Sequence, residues 1–209
     1  MANAQRTPVV PLEAGAGPEN PPCPACGEPL FGWLSTQQGL GGPVSRCESC
    51  GLGVIGAPGD PEEALRELGG AGDRRGPRIA NRASFAASLG SAGWAGLEPG
   101  ARYLFTPEAV RRLIARPDQV LKSSRWAPAA SLAATWQTLL NSVTFGHNVA
   151  LGALGRAKAV PAEHAWQRRI DALASVVLAI PAGLIALPIE LTGGLLGRGA
   201  VLSLRFELL

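Results

Sequence analysis

The chain of 209 residues is short of aromatics, charge and cysteine. Aromatic residues make up 5% of it, so an apolar interior must be built from Ala, Leu, Val and Ile. Charged residues are 17%, against about 25% in an ordinary soluble domain. The 19 bases and 16 acids leave a formal charge of +3, too weak to bind nucleic acid through bulk electrostatics. Four cysteines in two tight pairs are too sparse for a disulfide framework. Residues 1–22 have neither a basic n-region nor an apolar h-region, so they read as a disordered leader and not as a signal peptide. A reducing cytoplasm is the expected compartment. The 27 Gly and 18 Pro are about a fifth of the chain, below the roughly 25–30% of low-complexity disorder.

Catalytic patterns are also missing. No phosphate-cradling P-loop and no Ser-His-Asp arrangement is visible. The two histidines, His147 and His164, have no third ligand or nucleophile placed beside them by motif, and they read as turn or surface residues. Trp33, Trp94, Trp126, Trp136 and Trp166 are scattered, which suits packing or an interfacial belt better than base stacking.

What is present is a pair of C-x-x-C knuckles, Cys23-Pro-Ala-Cys26 and Cys47-Glu-Ser-Cys50. Two residues between thiols let both sulfurs reach one metal from a tight turn, and two such knuckles supply a tetrahedral S4 site. Gly27 and Gly51 follow the knuckles, where a turn needs positive φ. The pattern predicts a zinc ribbon over 23–56 with Cys23, Cys26, Cys47 and Cys50 as ligands to a structural Zn2+. Four thiolates leave no open position for catalysis. A redox C-x-x-C would need a thioredoxin-like βαβ context, which is lacking. The ribbon has only Arg46 as a base against Glu28 and Glu48, so no nucleic acid is expected on it.

Gly51, Gly53 and Gly56 spell G-x-G-x-x-G. A dinucleotide loop must leave a buried strand and open a helix. Here a knuckle precedes it, so the glycines read as the knuckle turn and the ribbon's last strand, through Leu52, Val54 and Ile55. Residues 57–78 then read as a short helix capped by Asp60, followed by a linker. The stretch is shorter than the roughly 30 residues of one βαβ unit.

Further on, Thr106 and Pro107 open a helix through Ile114, and a strand is expected over Val120–Trp126. Between Ala127 and Gly155 no side chain is charged. Leu132, Trp136, Leu139, Leu140 and Val143 recur at helical spacing opposite Thr135, Thr138, Asn141 and Ser142, which predicts an amphipathic helix with an uncharged polar face. From Ala172 to Ile189 there is again no charge, over a length at the lower limit for a membrane span, about 18 residues. Pro181, Gly183 and Pro188 interrupt it. Three readings stay open: a helical hairpin buried in protein, a segment lying on or dipping into a membrane, and a span. Arg156, Lys158, Arg168 and Arg169 precede it and would attract anionic headgroups. Ala200–Leu208 alternates through Val201, Leu202, Leu204, Phe206 and Leu208 and reads as a final strand.

From Ile79 onward the chain resembles the C-terminal part of a bacterial family of zinc-ribbon class I SAM-dependent methyltransferases. The resemblance rests on Ile79-Ala80-Asn81-Arg82-Ala83-Ser84, then Gly93-Trp94-Ala95-Gly96-Leu97-Glu98-Pro99. Tyr103-Leu104-Phe105-Thr106-Pro107 continues it, with the helix after it, Leu139-Leu140-Asn141 and the closing Gly197-Arg198-Gly199-Ala200-Val201-Leu202. The family's SAM-binding strands and acidic glycine loop have no counterpart between the ribbon and Asn81. Its Pro-Arg-His run becomes Pro99-Gly100-Ala101, and its later His becomes Leu104. The resemblance thus implies shared ancestry and local fold, with the final strand paired to Val120–Trp126, but without a SAM site and without catalytic or cofactor-binding residues. The expected fold is α+β: leader 1–22, zinc ribbon 23–56, short helix and linker 57–78, and a methyltransferase-like, mostly helical region 79–209 with a short β-pair and an apolar helical hairpin. The expected role is binding or assembly, beside an intact methyltransferase or at a membrane touched through 172–189. The alternatives are a methyltransferase subunit whose partner supplies the SAM site, and a zinc-ribbon adaptor.

Overall fold

The computed structural model describes residues 20–35, 42–60, 63–64, 77–114 and 119–208. Most of the leader and most of the expected helix after Asp60 lie outside these residues. Asp60 itself accepts from the Glu63 backbone N–H at 2.7 Å, as an N-cap does. The strands are β1 (Leu30–Leu34), β2 (Val44–Cys47), β3 (Gly53–Ile55), β4 (Arg78–Ala80), β5 (Tyr103–Leu104), β6 (Gln119–Trp126) and β7 (Val201–Leu208). The helices are α1 (Phe85–Gly90), α2 (Pro107–Leu113), α3 (Pro128–Asn141), α4 (Val149–Ala153), α5 (Ala165–Val177) and α6 (Ala179–Leu195). The chain is α+β.

Two antiparallel sheets organise it. In the first, β1, β2 and β3 form a meander, and β5 adds a fourth strand from far along the chain. Gly53 lies opposite Leu104, and a Cβ at Gly53 would stand only 3.0 Å from the Leu104 Cβ. The absence of a side chain there is what lets β5 approach. The second sheet has the order β4-β7-β6. β7 pairs with β6 from Trp126 opposite Leu202 to Gln119 opposite Leu208. Leu202 and Leu204 point inward, two residues apart on one face.

The ribbon and the rest of the chain share one core. Cys23, Leu30, Cys47, Cys50, Leu52 and Val54 pack in the same cluster as Ile79, Phe105, Val110, Leu113, Leu202 and Leu204. A second cluster forms around the fully buried Trp94 and Leu97, with Val44, Ile55 and Leu104.

Helix α3 forms where the periodicity predicts an amphipathic helix, and it buries Leu140. Its uncharged polar face turns inward: Ser131, Thr135, Gln137 and Thr138 are buried, while Val143, just past its end, is exposed. Burial is tolerated because each of these groups has a partner. Thr138 Oγ1 accepts from Ala95 N at 3.1 Å, Gln137 Oε1 from Leu151 N at 2.7 Å, and Ser131 Oγ from Val201 N at 2.8 Å. Asn141 donates to the Gly93 carbonyl at 2.9 Å. The helix is the polar spine against which α1, α4, α6 and β7 are set.

The apolar segment forms α5 and α6, joined at Leu178 through a 61° bend. The break does not fall at a proline. Pro181 lies in the first turn of α6, where the backbone needs no intrahelical donor. Pro188 sits inside the helix. Among the described residues no helix is long and apolar enough to cross a membrane alone; only the bent pair together passes by length and composition.

Candidate metal centre

Both knuckles are held by short backbone hydrogen bonds. Gly27 N donates to the Cys23 carbonyl at 2.8 Å, and Gly51 N to the Cys47 carbonyl at 3.0 Å. Gly27 and Gly51 take φ of +77° and +76°, the left-handed conformation that the turns demand. Gly51 is constrained twice, since a Cβ there would come within 2.9 Å of Thr106 Cγ2.

The structure brings the four predicted ligands together. Their sulfurs all lie within 4.8 Å of one another. Cys23 Sγ is 3.6 Å from Cys50 Sγ, and Cys26 Sγ is 3.4 Å from Cys47 Sγ. Sulfurs at about 2.3 Å from one zinc stand about 3.8 Å apart in a tetrahedron. The observed separations are close to that edge, and the four cysteines are free thiols. Soft sulfur donors in this arrangement fit a metal ion, and zinc suits them best.

Burial pushes the Cys26 thiol above its ordinary pKa. Its hydrogen bond with Cys23, followed by burial, pushes Cys50 up as well. These two thiols resist ionisation by themselves and would lose their protons on coordination. Arg82 sits beside the cluster and donates to the Gly51 carbonyl at 3.1 Å. Its guanidinium also covers the Trp33 ring at 4.5 Å. Burial, and after it Arg46, lowers its pKa to about 10, while Cys50 and Cys47 oppose that shift. Arg82 is therefore a cation placed next to the four cysteines. It was missed as part of the site because it lies 32 positions beyond Cys50 in sequence and no spacing rule connects them.

Asn81, Ser84 and Thr106 each hold the local fold together. Asn81 is fully buried, donating to the Gly199 carbonyl and accepting from Ala83 N, both at 3.0 Å. Ser84 caps α1 by accepting from Ala87 N at 3.1 Å. Thr106 caps α2 and reaches the Cys50 carbonyl. Of the glycine run, Gly51 closes a knuckle, Gly53 opens β3 and Gly56 turns after it. His164 precedes α5 at the surface, as expected, whereas His147 forms an antiparallel bridge with Val160 that buries its ring Nε2. Burial holds the His147 pKa below its ordinary value, against the Leu97 and Trp94 backbone groups.

One cleft of about 640 Å³ opens between β4 and α3, lined by Arg78, Trp94, Glu98, Ala130, Arg156 and Val201. Glu98 is the one carboxylate in its lining, which holds no His, Cys or Ser. Burial raises the Glu98 pKa, and Lys158 opposes the rise. The cleft has size enough for a ligand but not the paired acid and base of a hydrolytic or proton-transfer site. No family model, curated protein or solved structure matches the chain.

Proposed function

We propose that the chain is a metal-stapled, non-catalytic relative of the zinc-ribbon methyltransferases, with a binding or assembly role. The metal is structural Zn2+ held by Cys23, Cys26, Cys47 and Cys50. It crosslinks two knuckles inside the main core, where aromatic bulk is scarce and a coordinate crosslink replaces missing hydrophobic contacts.

The observation that carries the non-catalytic part is that every strand pairing among the described residues is antiparallel. A methyl donor in a doubly wound sheet binds outside the carboxyl ends of parallel strands, at a point where the strand order reverses. The described residues contain no such crevice, and the cleft beside α3 offers Glu98 alone as an acid or base. Titration calorimetry of the zinc-loaded chain with S-adenosylmethionine tests the reading. No saturable heat is expected. Micromolar binding by the chain alone overturns it. Binding that appears only when a second protein is added supports the subunit alternative instead.

A further inference from the structure

Helix α6 is apolar on the wrong side for a helix in water. Its packed face holds Ala182, Ala186, Glu190 and Gly193. Its outer face holds Ile180 at 75% exposure, Leu184 at 69% and Leu195 at 86%, with Ile185, Leu187 and Leu191 also exposed. Glu190 is the helix's only charged residue, and it is buried. Soluble helices show the reverse pattern, large apolar residues inward and charge outward. The small inner residues let α6 lie close to α3 and Trp126: a Cβ at Gly194 would stand 2.5 Å from the Trp126 ring.

Helix α5 continues the same surface. Trp166, Ile170, Leu173 and Val177 recur at helical spacing, and all four are exposed. Buried Asp171 lies on the opposite side and accepts from Phe145 N at 2.8 Å and Gly146 N at 2.9 Å. The exposed Phe145 meets Trp166 edge-on at 5.5 Å between ring centroids, so an aromatic pair marks one border of the stripe. Apolar surface of this extent signals an occupant.

Charge decides which occupant. From Gly155 to Arg198 the exposed charges are Arg156, Lys158, Arg168, Arg169 and Arg198 against Glu163 alone, with Lys158 facing Glu98. Arg169 stands three residues after Trp166 and four before Leu173, on the border of the apolar stripe. A second copy docked on this face would bring the same excess of cations with Glu163 as its one exposed acid in this segment, which is unfavourable. Anionic headgroups would neutralise them while acyl chains cover the leucines.

We propose that α5 and α6 dock the protein onto an anionic lipid surface, lying in the interface and not crossing it. Helix α6 is about 26 Å long, short of the roughly 30 Å hydrocarbon core. One side of it is committed to α3 and carries Glu190, so lipid cannot surround it. The bend at Leu178 lets both helices follow one surface. This gives the binding role proposed above its partner and rests on that reading only to this extent, because donor binding is measured separately.

Vesicle flotation of the full zinc-loaded chain tests it, with phosphatidylcholine vesicles compared with vesicles holding about 30 mol% phosphatidylglycerol. The expected result is at least about ten-fold stronger partitioning onto the anionic vesicles, weakened by salt. Leu184→Asp with Leu191→Asp changes only exposed positions and is expected to abolish flotation at unchanged circular dichroism. Arg168→Glu with Arg169→Glu is expected to remove the preference for phosphatidylglycerol. Hydrogen exchange of the unaltered protein gives a readout without mutation: amides of α5 and α6 should gain protection when anionic vesicles are added. No flotation on either vesicle overturns the proposal. So does a dimer in solution that Leu184→Asp dissociates, since the face then belongs to a second copy.

Discussion

The Thr106 hydroxyl donates to the Cys50 carbonyl oxygen at 2.6 Å and accepts from Ala109 N at 3.0 Å. One side chain thus closes the second knuckle and caps α2, tying the metal centre to a helix whose cap lies 56 residues after Cys50. Thr106→Val keeps the shape against Gly51 but removes both hydrogen bonds. It is expected to cost about 1–2 kcal/mol in urea unfolding of the zinc-loaded protein. A cost confined to a few tenths would mean that the cap is not a link between the two.

The two knuckle glycines separate strain from crowding. Gly27 and Gly51 have nearly the same φ, but a Cβ at Gly27 meets nothing within 4 Å, whereas at Gly51 it meets Thr106. Gly27→Ala is expected to cost about 1 kcal/mol, the strain of left-handed backbone alone. Gly51→Ala should cost more, and Gly51→Ala combined with Thr106→Ser should recover part of the difference. Equal losses in unfolding measurements would contradict the packing.

Glu190 is 2% exposed and has no basic partner among the described ion pairs. It accepts from Trp126 Nε1 at 3.3 Å, from Ala200 N at 3.2 Å and from Thr135 Oγ1. Glu190→Ala strands those donors and is expected to destabilise by about 2–4 kcal/mol. Glu190→Gln keeps an acceptor but adds an N–H₂ among donors, so its cost should fall between Glu190→Ala and none. Thermal unfolding of the two variants side by side checks the order.

His147 makes stability depend on pH in a defined direction. Burial lowers its folded pKa below the ordinary 6.5, so the unfolded chain binds the proton more readily. Its contribution is intact above that value and is lost as pH falls from there towards the folded pKa. The ring lies against Asn141, whose Nδ2 stands 3.3 Å from His147 Nδ1, and the ring Nε2 is buried without a hydrogen-bond partner among the described residues. His147→Gln should flatten the stability profile between about pH 7 and 5 relative to the parent. An unchanged difference between the two proteins across that range would contradict the assignment.

The features legible in the sequence were those set by short-range spacing. The cysteines declared themselves because a knuckle is local, and β7 because alternation is local. The joining of β5 to β3 was not legible: it depends on Gly53 leaving room for Leu104, a contact between distant residues. Which face of α3 turns inward was not legible for a related reason. Periodicity finds two faces but does not say which is buried, and uncharged Thr135, Gln137 and Thr138 are affordable inside once Ala95, Leu151 and Glu190 supply partners. The break at Leu178 was hidden because Pro181, the expected breaker, falls where a helix accepts proline.

X-ray absorption at the zinc edge of the purified chain tests the central claim most directly. The predicted result is one zinc per chain with four sulfur neighbours at about 2.3 Å and no nitrogen or oxygen shell. Nitrogen or oxygen in the first shell, or a metal-free chain that stays folded with Cys23 and Cys50 oxidised together, would contradict it.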